Sequence, residues 1–545
     1  MGCRRALLAL SWAFLLVLSL LTAPKLVEAG HLGEPSTTWA AVYGGVSSNG
    51  ANRVTISDAN AIAIAPNGDI IIAGNTFGFG AGGSDVWVLR LSGNGSIIWQ
   101  KTFGGSDDDY ANAVAIAPNG DIVVVGDTSS FGNGGWDTLV IRLDGRGNVK
   151  WQRTYGGEDD EYTNAVAIAP NGDIITAGST SSFGAGNADV WVMRLSPSGD
   201  VKWQMTYGGT GDDEAYGVTL TPGGNIVVSG YTESFGAGDW DAWILRLKGN
   251  GSVIWQKTYG GKGSDEANAV AIAPNGDIIV AGDTSSFGAG ASDVWVLRLD
   301  GDGNAKWEKA YGGKKDDYAN AVSLSPSGDI IVAGGTYSFG AGGKDIWVLK
   351  LDSEGNVEWE KTYGEKHDDT ANGVTFAPNG DILIAGRTYI PGSGAEAWVI
   401  RLGGNGGFEI KHPPFKCGVG TEAKVSDVKA AVKEGSAQVS PSETLAVTPK
   451  AVVSSSNVKA VYLPSCEPTV TSTASGTTAS SSSSAPSSIT TASIHLPSVS
   501  SSESPGSSSS SSLSGSTTKK GRGICGPAAL IGLAIVPIFL RRRRR

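Results

Sequence analysis

Apolar and polar positions recur in a fixed pattern from residue 39 to residue 402. In residues 112–155, Asn112 to Ala117 is a run of small apolar side chains, and Ile122 to Val125 is continuously apolar, as in a strand buried on both faces. Between them Pro118-Asn119-Gly120-Asp121 reads as a tight turn, with glycine supplying the positive φ. Residues 127–136 read as a long polar loop. Thr138 to Leu143 and Val149 to Tyr155 are two further strands, joined by the turn Asp144-Gly145-Arg146-Gly147-Asn148. The pattern predicts four short antiparallel strands per unit, and no stretch from 39 to 402 has a helical period.

The unit recurs seven times. A Trp leading to a Tyr/Phe-Gly signature stands at Trp39, Trp99, Trp151, Trp203, Trp255, Trp307 and Trp359, spaced by 60 residues and then by 52 five times. The first interval is longer because about eight extra residues lie in 46–59. A second set, Asp-x-Trp-x-x-Arg-Leu, places Trp87, Trp191, Trp243, Trp295, Trp347 and Trp398, with Leu139 in the remaining copy. A fixed period of this length marks a repeat fold. Seven units of four strands predict an all-β, seven-bladed β-propeller over residues 39–402. The small Ala-Asn-Ala-Val-Ala-Ile segment suits the crowded axis, and the Trp-bearing strands suit the broader periphery. The chain enters at Trp39 with an outer-strand signature and leaves at Leu402 after a third strand. The N-terminal strand is therefore expected to complete the last blade and close the ring, removing two open edges.

These units resemble the SBBP-type β-propeller repeat family. The resemblance rests on Tyr-Gly-Gly with the following Asp-Asp, on Ala-x-Ala-Ile-Ala-Pro-Asn-Gly-Asp-Ile, on Asp-x-Trp-Val-x-Arg-Leu and on Gly-Asn-x-x-Trp. It implies the fold and little about function, which has to be argued from the site.

Composition and charge narrow the chemistry. Gly is 79 of 545 residues and Trp 16, against 3 Met and 4 His, which excludes a helical bundle. Net charge is −11, and residues 39–402 alone hold 44 acidic and 24 basic residues, so no nucleic-acid partner is expected. The four His, at 31, 367, 412 and 495, have no ligand spacing. Gly78-Phe79-Gly80-Ala81-Gly82-Gly83 matches a dinucleotide fingerprint only as a string, since it precedes a Trp-bearing strand and not a helix.

The loop after the second strand and the loop leaving the fourth share one face of the ring, and both are long. Long loops on a rigid scaffold are where binding residues gather. The loop leaving the fourth strand carries acids in register: Asp109, Glu161, Asp213, Asp265, Asp317 and Asp369, preceded by Asp108, Asp160, Asp212, Asp316 and Asp368, with Ser264 as the exception. Paired carboxylates of this kind suit a divalent cation, with calcium the candidate cofactor. The same residues also suit capping of backbone amides in turns. The acids two residues before the third-strand Trp or Leu139 (Asp85, Asp137, Asp189, Asp241, Asp293 and Asp345, with Glu396) and the bases three residues after it (Arg in six copies, Lys350 in the other) read as structural. Departures from the repeat are few: the first-unit insertion with Arg53, and Tyr216, Ser264, His367 and Arg387. They form no recognisable catalytic pair, so no catalytic residue is assigned. The leading expectation is a binding or scaffold module for an extracellular protein or glycan. The alternative is an extracellular glycan-active or cofactor-dependent propeller enzyme.

The ends supply an address. Residues 1–29, with Arg4 and Arg5, an apolar stretch and Val27-Glu28-Ala29, read as a signal peptide cleaved after Ala29, or else as an uncleaved anchor. Residues 467–518 are 32 Ser or Thr out of 52 and read as a disordered, O-glycosylated stalk. Residues 524–545 form the anchor or sorting tail: 17 apolar positions from Ile524 to Leu540, then five Arg that stay cytoplasmic. Cys525-Gly526-Pro527, the short apolar segment and the Arg run resemble the CGP-CTERM sorting signal of archaeal surface proteins. That resemblance implies a hyperthermophilic archaeal surface protein, lipidation at Cys525 and removal of the tail. Residues 408–466 read as a small β-type module or linker in which Cys417 and Cys466 form a disulfide or stay as free thiols. Asn94 and Asn250 begin glycosylation sequons on the tight-turn face. The expected location is the extracellular face of the cell membrane.

Overall fold

A computed structural model describes residues 38–43, 57–77, 80–364, 366–390 and 394–407, and the backbone of three short strands beyond them. The signal peptide, the stalk, the tail, Cys417, Cys466 and Cys525 lie outside the described residues.

In the second unit the four strands are Asp109–Ile116, Ile122–Thr128, Asp137–Leu143 and Val149–Tyr155. They pair antiparallel in sequence order, and each of the seven blades repeats this sheet. The blades cover 57–103, 109–155, 161–207, 213–259, 265–312 and 317–363, with 370–402 as the three inner strands of the seventh. The seventh is completed by Trp39–Tyr43, which pairs with Gly394–Leu402. The expected fold and its closure by the N-terminal strand are both present.

Burial explains the pattern. Second strands such as Ile122–Thr128 are buried throughout, because both faces are covered by neighbouring blades. Third-strand Trp rings fill the wide end of the wedge; Trp87, Trp243, Trp295, Trp347 and Trp398 are among the largest fully buried side chains. Pro118-Asn119-Gly120-Asp121 turns with Gly120 at φ 81°, where a side chain would be strained. At Gly126 a Cβ would lie 2.0 Å from the carbonyl oxygen of Tyr110, so only glycine lets the second strand approach the inner one.

The regular Arg and Trp residues stitch blade to blade. Arg142 donates from Nε to Asp121 at 2.9 Å, and from Nη1 to the carbonyl of Pro197 in the next blade at 2.7 Å. Trp151 Nε1 donates to that same carbonyl at 3.0 Å, and Tyr155 Oη to the carbonyl of Gly199 at 2.6 Å. Burial opposes ionisation of Asp121, but hydrogen bonds from Lys150, Asn119 and Arg142 outweigh it and hold the carboxyl below its ordinary value. The contact set recurs at the ring's seam. Arg401 reaches the Gly93 carbonyl at 2.6 Å, Trp39 reaches it at 3.0 Å, and Tyr43 reaches the Gly95 carbonyl at 2.7 Å. The N-terminal strand thus joins blade seven to blade one as any outer strand joins its blade to the next.

Each inner strand carries a bulge; in blade five it releases Ala267 as well, and in every blade it releases the residue at the position of Asn112 from the ladder. In six blades that residue is Asn. Asn112 Nδ2 donates across to the Thr163 carbonyl at 3.0 Å, and Asn372 closes the circle on the Ala59 carbonyl at 3.2 Å. Blade four breaks the ring of amides with Tyr216.

The strands beyond the ring pair with outer blade edges. Val419–Gly420 pairs with blade six, Lys424–Asp427 with blade five and Val461–Tyr462 with blade one. Main-chain pairing of this kind satisfies donors and acceptors that an outer strand otherwise leaves open.

Candidate functional site

The in-register acids lie where each inner strand begins, on the long-loop face. Asp109 Oδ2 accepts from the Gly105 amide at 2.7 Å and from Ser130 Oγ at 2.8 Å, and Oδ1 accepts from Thr128 Oγ1. Glu161, Asp213, Asp265 and Asp317 accept from Gly157, Gly209, Gly261 and Gly313 in the same way, at 2.7 to 2.8 Å. Asp369 immediately precedes the seventh inner strand, which begins at Thr370, and is buried like its equivalents. The preceding acids cap a different loop. Asp108, Asp160 and Asp368 accept from the amides of Ser84, Trp136 and Lys344 at 2.8, 3.0 and 3.0 Å. Asp212 and Asp316 occupy the same loop position in their blades. These carboxylates are therefore spaced around the ring, each tying its own loops together. Among the described residues, no three His, Cys, Asp or Glu side chains are grouped as a metal would need. Burial is the main cause that raises Asp109 to about 6, and it raises Glu161, Asp213 and Asp265 too.

In blades one to six the Asp that opens the third strand is a loop cap as well: Asp85 Oδ2 accepts from the amides of Ala81 and Gly82 at 3.0 and 3.3 Å, and blade seven has Glu396 instead. Asn94 and Asn250 sit exposed on the tight-turn face, where each Oδ1 accepts an amide two residues on, at 3.1 Å.

One step inward the repeat stops repeating. The first and second strands of every blade meet at the mouth in a cross-strand pair, and the seven pairs all differ. They are Asp58 with Asn75, Tyr110 with Asp127, Tyr162 with Ser179, Glu214 with Tyr231, Glu266 with Asp283, Tyr318 with Gly335, and Thr370 with Arg387. The framework positions on either side keep nearly the same residue in each blade. Arg387 here, and Tyr216 nearby, stand out in the sequence as departures from the repeat. The pairs themselves are not visible in the sequence, because partners far apart in the chain become neighbours only through the hairpin register and its bulge.

Aromatic rings dominate blades one to four of this mouth. Phe77, Tyr110, Trp136 and Tyr162 follow one another at centroid separations of 6.4, 5.3 and 6.4 Å, with Tyr110 and Trp136 stacked. In blade four Tyr231 lies 5.7 Å from Tyr216 and stacks on Trp240 at 4.9 Å. His367 and Tyr389 are 4.9 Å apart on blade seven's side. Buried carboxylates stand among the rings. Asp127 accepts from the Thr163 amide at 2.6 Å and from Asn112 at 2.7 Å, yet burial still lifts it to about 7. Glu214 is raised first by burial and further by the charges of Asp212 and Glu266. Flat apolar surfaces beside fixed hydrogen-bonding groups form a surface that can bind and orient a ligand with both apolar and polar faces.

Comparison with known proteins agrees with a propeller repeat protein. A β-propeller domain of unknown function, DUF5122, matches residues 117–149 and 273–305, which hold the second and third strands of blades two and five. A curated relative, the regulatory protein FlaEY of Caulobacter vibrioides, is 24% identical over 330 residues. The match takes in 56% of this chain and 33% of the relative, so the chain spans about a third of that protein's length. Among solved structures, a protein of unknown function from Dyadobacter fermentans is 15% identical with a TM-score of 0.38, covering 66% of this chain and 97% of that one. Sqt1 from Chaetomium thermophilum is 16% identical with a TM-score of 0.37, covering 64% and 83%. An α-L-arabinofuranosidase from Fusarium graminearum is 10% identical with a TM-score of 0.35, covering 66% and 97%. No functional statement follows from likenesses at this level.

Proposed function

We propose that this chain is a binding module held at the outer face of a cell, which takes an extracellular glycan on the long-loop mouth of its propeller. The observation that carries this reading is the ring of unlike cross-strand pairs set in a framework that otherwise repeats. A purely structural position has the same task in every blade and is filled in the same way; a position that contacts one asymmetric ligand has a different task in each. The aromatic arc from Phe77 to Tyr162 suits the apolar faces of sugar rings, and the amides and carboxylates between the rings suit hydroxyl groups. In this reading residues 1–29 export the chain, 467–518 hold the ring away from the surface, and 524–545, with Cys525 as the lipid acceptor, anchor it to the membrane.

A glycan array and a surface-protein pull-down with the full chain test the reading together. Glycan binding is expected, reduced at least about tenfold by Trp136→Ala, since one base-sized ring stacked on an aromatic contributes on the order of 1–3 kcal/mol. Capture of a protein ligand with no glycan retained would replace the glycan by a protein partner. Binding indifferent to Trp136→Ala and Tyr110→Ala would remove the mouth as the site.

A further inference from the structure

Blades six, seven and one differ from the rest of the mouth. At the position of Arg387 the other blades carry Asn75, Asp127, Ser179, Tyr231, Asp283 and Gly335. At the position of Lys344 blades one to five carry Ser84, Trp136, Ala188, Trp240 and Ser292. These two are the cations at their positions in an otherwise acidic ring. Lys344 is held in place. Its amide donates to Asp368 Oδ1 at 3.0 Å, and its Nζ lies 5.8 Å from the centre of the Tyr337 ring. Its aliphatic stem runs over Gly335, where a Cβ would come within 2.8 Å of Cδ. Burial and then the charge of Arg387 pull Lys344 below its ordinary pKa, offset in part by Asp368. Two like charges brought together in this way are relieved by an anion.

The junction also holds buried polar atoms without hydrogen bonds. Asp58 is 3% exposed, and its Oδ1 accepts no hydrogen bond; Arg387 Nη1, at 4.0 Å, is too far to give one. Asn75 is 0% exposed and Thr370 6%, and neither Asn75 Nδ2 nor Thr370 Oγ1 has a hydrogen-bond partner. Blades seven and one meet here, since Asn372 reaches the Ala59 carbonyl. Native interiors rarely leave such atoms open together. An acceptor, an amide donor and a hydroxyl thus stand beside Arg387, whose charge in turn reaches Lys344.

We infer that the junction of blades seven and one is a subsite for an acidic sugar, a hexuronate, with Arg387 and Lys344 taking its carboxylate and Asp58, Asn75 and Thr370 taking its hydroxyls. This rests on the glycan reading above. A neutral sugar leaves Arg387 with only its long ion pair to Asp58, at 4.0 Å, and Lys344 with only the partial offset of Asp368. A phosphate dianion brings two charges close to Asp58 and Asp368 and has a single hydroxyl, which cannot serve Asp58, Asn75 and Thr370 together. A single carboxylate on a polyhydroxylated ring meets both requirements.

The test is an NMR titration of the full chain with D-glucuronate, D-glucose, inorganic phosphate and N-acetyl-L-glutamate. Glucuronate is expected to bind at least about tenfold more tightly than each of the others, the usual effect of a hydrogen bond to a charged group. Arg387→Gln and Lys344→Met, the second of which keeps the stem over Gly335, should each remove most of that preference and leave the melting temperature in place. If Arg387→Gln is destabilised, Lys344→Met alone decides. Equal binding of glucose and glucuronate, tighter binding of phosphate, or variants that keep the preference would overturn the subsite, as ordered water would then account for the open atoms. N-acetyl-L-glutamate binding as well as glucuronate would overturn the role of the hydroxyls. The two readings fail separately. Glycan retention on the array without glucuronate preference sinks the subsite alone, whereas glucuronate preference without any retained glycan sinks the wider glycan reading.

Discussion

Asp317 accepts from the Gly313 amide at 2.8 Å and from Thr336 Oγ1 at 2.5 Å, so its carboxylate closes the loop entering blade six. Replacing it with Ala leaves a buried amide without an acceptor, which costs about 1–3 kcal/mol. Asp317→Ala should therefore lower the melting temperature equally in calcium and in chelator, and the wild-type chain should melt at the same temperature in both. A chelator-dependent drop in the wild type, abolished by the substitution, would instead assign the loop acids to calcium. The raised acids fix a pH dependence. Burial lifts Asp109, Asp293 and Asp345 to about 6 and Asp127 to about 7 in the folded chain, above the unfolded value near 3.9. The folded state then binds more protons than the unfolded state between about pH 4 and pH 7, so stability falls as pH rises through that window. Thermal unfolding should show a higher melting temperature at pH 5 than at pH 7.5, and Asp127→Asn should reduce the difference. A melting temperature that rises from pH 5 to pH 7.5 would contradict the burial of these groups. Below about pH 4 the depressed Asp121, Asp173 and Asp277 act with the opposite sign, because protonation removes their Arg and Lys partners.

The outer strand tests the seam. Tyr43 and Tyr155 make the same hydrogen bond to the following blade, at 2.7 and 2.6 Å. Tyr43→Phe and Tyr155→Phe should each cost about 1 kcal/mol in denaturant unfolding. A cost confined to Tyr155→Phe would mean that the seam is open in solution. Element by element, the framework was legible from the chain. The outer strand, the Pro-Asn-Gly-Asp turn and the seam follow from side chains whose task is the same in every copy. The candidate site was not. The inner strand was expected from Asn112 and begins at Asp109, and the polar loop was expected from residue 127, although the second strand runs to Thr128. Tyr110 and Asp127 fell into apparent loops because a strand end facing the channel mouth carries polar and aromatic residues and loses the apolar signature used to find strands. The bulge hid the amide ring for a related reason: it moves Asn112 out of the two-residue alternation.

At the scale of the whole molecule, one face of the ring is built of tight turns and carries both sequons, while the other collects the long loops, the unlike pairs and the aromatic arc. With a formal charge near −20, the ring favours ligands presenting hydroxyls or cations over polyanions, apart from the junction around Arg387. A chain truncated after Thr518 should be released into the medium when expressed in its own cells, and retention on the cells would show that the ring itself adheres to the surface. The measurement that bears most directly on the proposed function is hydrogen–deuterium exchange of the full chain, with and without the polysaccharide fraction of the cell envelope. Slowed exchange is expected in the loops 129–136 and 233–240 and at the start of the inner strands, with the turns 118–121 and 274–277 unchanged. Protection confined to those turns or to the outer strands, or none at all, would contradict a ligand seat at the long-loop mouth.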